Sequence, residues 1–189
     1  MKKPGCLRVI SLSRLVRQKN IIKAIEIVAG LSGNIIFDIY GLLEDPVYVE
    51  ECERLIRTLP ANVKVSIRGP LTHENAMDQL GSYDVFLLPT NSENFGHAIY
   101  EAMSVGLPVV ISDRTPWRGL QASKAGYDLD PDDTSAFQVA LDRYARMSAA
   151  EFESHRRNAR DYAEEWLKSS GALELNRKLF ALAESNGSE

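Results

Sequence analysis

Two glutamates flank a short turn in the segment NSENFGHAIYEAMSVGLPVV, residues 91–110. Glu101 comes eight residues after Glu93, on a predicted helix where it shares a face with His97 and Ala98. Because each carboxylate can accept two hydroxyl hydrogen bonds, the pair suits a ligand rich in hydroxyls. One glutamate would hold a sugar and the other a ribose.

The turn between the glutamates could also bind an anion. A glycine at position 96 lets a ligand come close to the backbone, because no side chain shields it. The amides of residues 95–98 stand at the start of the predicted helix, where backbone N–H groups favour negative charge.

A second cluster lies in the segment SRLVRQKN, residues 13–20, which contains Arg14, Arg17 and Lys19. The segment follows a predicted strand and precedes a predicted helix. Arginine can bond two phosphate oxygens at once and lysine adds a mobile charge, so the cluster suits a diphosphate.

Each cluster alone also has an ordinary structural explanation. Basic loop residues are often only solvated, and glutamates near a helix N-terminus are stabilised by the helix dipole. The first loop contains neither the glycine pattern of dinucleotide-binding domains nor that of a P-loop, which disfavours hydride transfer and P-loop phosphoryl transfer.

Short apolar runs alternate with helical patterns along most of the chain. This alternation predicts an α/β fold with a Rossmann-like, doubly wound parallel sheet and additional C-terminal helices. Predicted strands cover 7–12, 34–41, 62–69, 83–90 and 108–113, and a short strand or turn covers 125–133. In such a sheet ligands bind beyond the carboxyl ends of the strands, where both clusters are predicted to lie.

Composition argues against several classes of protein. The 189 residues carry a net charge of −4, so nucleic acid is not expected as a partner. Cys6 and Cys52 have no metal-ligand or disulfide spacing, which favours a reducing compartment. Without a leader-like or membrane-spanning apolar run, a cytoplasmic protein is predicted.

The combination of motifs resembles a known family. SRLVRQKN, followed by SENFGHAIYEAMSVGLPVVIS, is similar to the C-terminal, nucleotide-sugar-binding domain of retaining GT-B glycosyltransferases of family 4. The fragments IYG, SIRGPL, SYDVFLLPT and DRTPWRGLQASKAGYDL agree, and the match covers roughly residues 7–130.

The resemblance implies a catalytic set of Arg14, Lys19 and Glu93. Arg14 and Lys19 would bind the diphosphate of a UDP- or GDP-sugar, and Glu93 would contact the transferred sugar near its anomeric centre. Glu101 would accept the ribose hydroxyls. Two backbone segments would complete the site: Asn94, Phe95, Gly96, His97 and Ala98 for the sugar or phosphate, and Gly69, Pro70 and Leu71 for the base.

No cofactor or metal is expected, because basic side chains and a helix N-terminus would replace the cation. Asp130, Asp132 and Asp133 are interpreted as turn and cap residues. The sequence departs from the family pattern at Ser13 and Asn20, where glycine is usual, and in the stretch 118–120, where an acidic residue is often found. These departures bear on donor specificity.

The chain is too short for both halves of a GT-B enzyme. We expect a nucleotide-sugar-binding domain at 1–147 and C-terminal helices at 148–185 that pack on it or extend from it. These helices cover 148–170, whose mixed charge indicates a solvated face, and 172–185. An N-terminal domain or a separate subunit would bind the acceptor, a saccharide or a lipid-linked molecule. Membrane association would belong to that half, and the isolated chain would bind the donor with little transfer.

Two other functions are compatible with the same residues. The chain could be a non-catalytic subunit that binds a nucleotide or sugar phosphate, or part of a GT-B-like UDP-sugar epimerase. An epimerase would interconvert free UDP-sugars without an acceptor, whereas a transferase would not.

Overall fold

The computed structural model describes residues 2–169. Within these residues, six strands form one sheet: β1 (Cys6–Leu12), β2 (Asn34–Tyr40), β3 (Val63–Gly69), β4 (Val85–Leu88), β5 (Val109–Ser112) and β6 (Gly126–Leu129). The same part of the chain contains six α-helices: α1 (Ile21–Ala29), α2 (Pro46–Ile56), α3 (His73–Gly81), α4 (His97–Ser104), α5 (Thr134–Arg146) and α6 (Ala149–Ser169). The predicted helix at 172–185 lies outside the described residues.

All neighbouring strands are parallel, and their order is β3-β2-β1-β4-β5-β6. The chain builds outward from β1 to β3, then crosses back to place β4 on the free side of β1. This reversal confirms the predicted doubly wound sheet and brings the loops that follow β1 and β4 together at the switch point, where sheets of this type bind ligands.

Apolar residues cover both faces of the sheet because successive side chains of a strand point to opposite sides. Val9 faces the core under α1, α2 and α5, whereas its neighbour Ile10 faces the core under α3 and α4. Val85 and Phe86 divide in the same way. Burial on both faces explains why these strands have continuous apolar sequences.

Polar side chains fix the starts of several helices. Asp45 accepts a hydrogen bond from the Tyr48 amide at the start of α2, and Asp133 accepts one from Ala136 at the start of α5. Ser148 and Glu151 bond each other's backbone amides at the start of α6. All of these caps satisfy amides that lack partners inside the helix, and the cap of α6 is reciprocal.

Helix α6 covers most of the predicted segment 148–170 and packs one of its faces against the domain. Ala159 and Ala163 are almost fully buried, and Tyr162 and Trp166 pack against the same core. Their spacing of three, four and seven residues forms an apolar stripe, which the surrounding charges obscure in the sequence. Small residues let α6 approach α4 closely.

No helix within residues 2–169 combines the length and the apolar character needed to cross a bilayer.

Candidate functional site

The predicted site residues lie at the carboxyl edge of the sheet, on the loops that follow the strands and on the first turns of α4. The loop after β1 contains a single 3-10 turn, Arg17–Lys19, and the loop after β4 leads into α4. Because β1 and β4 are neighbours, residues separated by more than seventy positions meet at this edge.

Lys19 and Glu93 form an ion pair between the two loops. Their side chains are 12% and 16% exposed, so solvent screens the pair only weakly. An ammonium group has three N–H donors, which leaves Lys19 able to bind a further acceptor while it holds Glu93. The structure thus brings together two of the three residues predicted as catalytic.

Further hydrogen bonds join the same loops. The Gln18 carbonyl accepts from the Asn91 amide at 2.8 Å and from the Thr90 hydroxyl at 3.0 Å. The Gln18 side chain donates to the Ser92 hydroxyl at 2.9 Å. The two loops therefore form one hydrogen-bonded unit around the Lys19–Glu93 pair.

The departure from glycine at position 20 has a structural explanation. Asn20 lies in the left-handed region, with φ 57° and ψ 41°, and immediately precedes α1. Asparagine tolerates this region better than most residues. Its side-chain amide donates to the Pro89 carbonyl at 3.0 Å, a bond that glycine could not make.

We predict that Asn20→Ala lowers the free energy of unfolding by about 2 kcal/mol and Asn20→Gly by about 1 kcal/mol. Alanine loses the bond to Pro89 and is strained at positive φ, whereas glycine loses only the bond. Urea denaturation of both variants measures the difference. Equal destabilisation would contradict the assigned backbone strain.

Gly96 begins the second half of the site. Its φ is 79°, and a Cβ there would lie 2.8 Å from Ile99 and 3.1 Å from Glu93, so a larger residue would disturb the loop. The Gly96 carbonyl accepts hydrogen bonds from the Ile99 and Tyr100 amides, so α4 begins directly after Gly96. As the first amides of α4, those of His97 and Ala98 have no intrahelical acceptor, and a helix N-terminus of this kind favours negative charge.

The structure restricts how the segment 93–95 can serve a ligand. The Glu93 amide donates to the Arg114 carbonyl at 3.0 Å, and the Phe95 carbonyl accepts from the indole of Trp117 at 2.6 Å. The Phe95 ring packs between Trp117 and Trp166. Phe95 thus contributes packing, whereas the neighbouring Asn94 is exposed.

Glu101 lies on α4 one turn beyond His97 and is partly buried. This position agrees with the face predicted from the sequence. Its assignment to the ribose stays a prediction.

Arg14 is paired with Glu44 rather than with Glu93. Both carboxylate oxygens of Glu44 accept from Arg14 Nη1 at 3.0 Å, and the two side chains are about half exposed. Arg17 bonds Glu51 at 2.7 Å, and this bond raises the pKa of Arg17. Both arginines of the first loop therefore have a carboxylate partner, and a diphosphate would compete with Glu44 for Arg14.

Sequence reasoning missed Glu44. It lies in the loop after β2, the strand beside β1, where it follows Leu42 and Leu43. Because ligands bind beyond the carboxyl ends of the strands, this loop could have been searched for site residues in the same way. Both leucines are exposed, by 56% and 49%.

The loop after β3 lies further along the same edge. The Gly69 carbonyl accepts from the Gly41 amide at 2.9 Å, and Gly69 has a φ of 80°. Pro70 is exposed and Leu71 partly buried. Gly41 lies between these residues and the loop after β1. Their role in binding a base stays a prediction.

The aspartates at 130–133 act in a turn and a cap, as expected. Asp130 accepts from the Asp132 amide at 3.0 Å, Asp133 caps α5, and Arg114 bonds Asp132 at 2.7 Å. Within residues 2–169, no three histidine, cysteine, aspartate or glutamate residues are grouped in a way that could hold a metal ion.

Comparison with known proteins identifies relatives of the whole described region. The sequence model of the family described as Glycosyl transferases group 1 matches residues 2–166. The chain is 34% identical over 99 residues to the sulfoquinovosyl transferase SQD2 of Arabidopsis thaliana. This alignment covers 49% of the chain and 18% of SQD2.

Solved structures show the same fold. Alr3699/HepE of Anabaena, in complex with UDP and glucose, superimposes with a TM-score of 0.77 at 18% identity, over 96% of the chain and 49% of HepE. A glycosyltransferase of Rickettsia africae gives 0.79 at 16% identity, over 94% of the chain and 48% of that protein. The chain thus spans about half the length of these structures and less of SQD2.

Proposed function

The chain belongs to the glycosyl transferases group 1 family, and on this premise we propose that it is the donor-binding half of a retaining, metal-independent hexosyltransferase. The donor is a UDP- or GDP-sugar. The observation that carries the proposal is the weakly exposed Lys19–Glu93 pair beside the N-terminus of α4. The pair and the start of α4 together supply a cation, a carboxylate and helix amides at the ends of β1 and β4.

The positive groups of this site would bind the donor diphosphate. Lys19 can donate to a phosphate oxygen while it retains Glu93, and the amides of His97 and Ala98 favour the same charge. Arg14 would join them after exchanging Glu44 for phosphate. As the bond to the sugar breaks, charge grows on the diphosphate, and donors fixed before the reaction stabilise it.

The carboxylates would orient the sugar and the ribose. Glu93, held by Lys19 on one side, would accept hydroxyl groups of the transferred hexose, and Glu101 would accept those of the ribose. The acceptor would attack on the face that the diphosphate leaves, which gives retention of configuration.

A second half is needed for transfer. The chain spans about half of HepE, and the proposed donor site lies at the carboxyl edge of the sheet. An acceptor-binding domain or subunit would supply the other side of the cleft, and a saccharide or lipid-linked molecule would be the acceptor. Alone, the chain would bind donor with little or no transfer.

The base of the donor is open between uracil and guanine. HepE is described in complexes with UDP and with UDP-glucose, which favours UDP for this chain also. The segment at Gly69, Pro70 and Leu71 would contact the base through its backbone.

Calorimetric titration of the chain with UDP, GDP and ADP tests the proposal. We expect selective binding of UDP or GDP, weakened roughly tenfold or more by Glu101→Ala, because the ribose loses a charged acceptor. Glu26→Ala is the control, since Glu26 is an exposed residue of α1 that pairs with Lys23. Binding of no nucleotide at millimolar concentration, or equal loss in both variants, would contradict the proposal.

A further inference from the structure

Five aromatic residues form a cluster behind the donor site: Phe95, Tyr100, Trp117, Tyr162 and Trp166. The Phe95 ring lies edge-on to Trp117 and Trp166, with ring centres 5.5 and 5.2 Å apart. The two tryptophan rings are 4.6 Å from each other. Phe95 is therefore enclosed by side chains from two distant segments of the chain.

Phe95 stands between Glu93 and Gly96, in the irregular segment that we term the donor loop, residues 93–96. Irregular backbone lacks the repeating bonds of a helix or strand, so its conformation depends on individual contacts. Two such contacts come from the segment after β5: the Arg114 carbonyl and the Trp117 indole. A third is the packing of Trp166 on the Phe95 ring.

Helix α6 holds Trp166 in place through contacts that do not involve the donor loop. Ala159 and Ala163 are buried against the core that α4 shares, and the Tyr162 hydroxyl donates to the Arg118 carbonyl at 2.7 Å. A Cβ at Gly106, after α4, would lie 3.0 Å from the Arg156 carbonyl, so the α6 backbone is close there. Trp166 is thus held on a helix that is anchored outside the donor loop.

We propose that Trp117 and Trp166 are positioning residues for the donor loop, acting through Phe95 on Glu93 and on the first amides of α4. This inference rests on the proposed function. Neither tryptophan needs to touch the donor. They fix the direction in which the loop presents its carboxylate and its N–H groups.

The proposal predicts a specific change in the preference for a nucleoside diphosphate over a nucleoside monophosphate. Under the proposed function, the donor loop would face the β-phosphate and the sugar, whereas Glu101 and the segment 69–71 would bind the ribose and the base. Loosening Phe95 should therefore reduce the gain in affinity from the β-phosphate and leave the binding of a nucleoside monophosphate unchanged. A merely structural role would weaken both ligands alike.

The test compares UDP with UMP in Trp166→Leu and Trp166→Phe, with GDP and GMP if the donor base is guanine. In Trp166→Leu the preference for the diphosphate should fall roughly tenfold, because edge-on aromatic contacts are lost, while UMP affinity changes less than about twofold. Trp166→Phe keeps a ring and should restore most of the preference. An unchanged preference in Trp166→Leu, or equal weakening of both nucleotides, overturns the inference.

Fluorescence of the unchanged chain gives a second test that does not depend on a variant folding. The chain has two tryptophans, and both belong to this cluster. UDP should change their emission and UMP should not. Emission that stays constant while calorimetry shows UDP binding overturns the inference alone, whereas absence of nucleotide binding overturns the proposed function and this inference with it.

Discussion

Replacing Lys19 by methionine is expected to lower the free energy of unfolding by about 3 kcal/mol and to abolish measurable nucleotide binding, because it leaves a mostly buried carboxylate without its cation. Glu93 is 16% exposed and has Lys19 as its ion-pair partner. Chemical denaturation and calorimetric titration of the same variant measure the two effects.

A double variant separates stability from binding. Lys19→Met combined with Glu93→Gln removes the unpaired charge, so we expect a stability within about 1 kcal/mol of the unchanged chain. Nucleotide binding should still be absent, because the phosphate has lost its cation. Recovered binding in the double variant would show that Lys19 acts only by neutralising Glu93. A double variant as unstable as Lys19→Met would show that the ion pair is not the source of the effect.

Replacing Gly41 by alanine is expected to lower the free energy of unfolding by about 4 kcal/mol and to weaken nucleotide binding roughly tenfold. Gly41 has a φ of 150°, and an added Cβ would overlap the Ser13 carbonyl and lie 3.3 Å from the Arg14 amide. The first loop would have to move away from β2, and Arg14 and Lys19 would move with it. Denaturation and titration again give both quantities.

Gly5→Ala is the matched control for this prediction. Gly5 also has a positive φ, 82°, but an added Cβ there would meet nothing within 4 Å. We expect a cost of about 1 to 2 kcal/mol from the backbone alone and no change in nucleotide binding. If Gly41→Ala were no worse than Gly5→Ala, steric overlap with Ser13 would not limit this position.

The sequence was sufficient for the parts of the molecule that depend on local periodicity. Apolar runs at 7–12 and 34–41 predicted β1 and β2 within one residue, because strands buried on both faces need continuous apolar sequence. The placement of Lys19 and Glu93 at the same edge followed from the general geometry of parallel sheets. That rule identifies the edge of the sheet where ligands bind, but it does not predict which side chains pair there.

Pairings across the sheet could not be obtained in this way. The pairing of Arg14 with Glu44 and of Lys19 with Glu93 depends on loop conformations. One of their constraints, the close approach of Gly41 to Ser13, cannot be read from a pattern of polar and apolar residues. The apolar stripe of α6 was hidden for a different reason. Two of its four members are alanines, whose small contact surfaces matter only when the partner helix is known.

The return of the chain from β3 to β4 has a consequence for the order of folding. Lys19 meets Glu93 across 74 positions of sequence, and Gln18 meets Ser92 across the same separation. Closing such loops carries an entropic cost before any contact compensates for it, so these interactions form late compared with neighbouring strand and helix contacts. A chain in which only β1 to β3 have assembled has a sheet but lacks the proposed donor site. Nucleotide binding during refolding is therefore expected to follow the crossover, and to appear after most of the secondary structure.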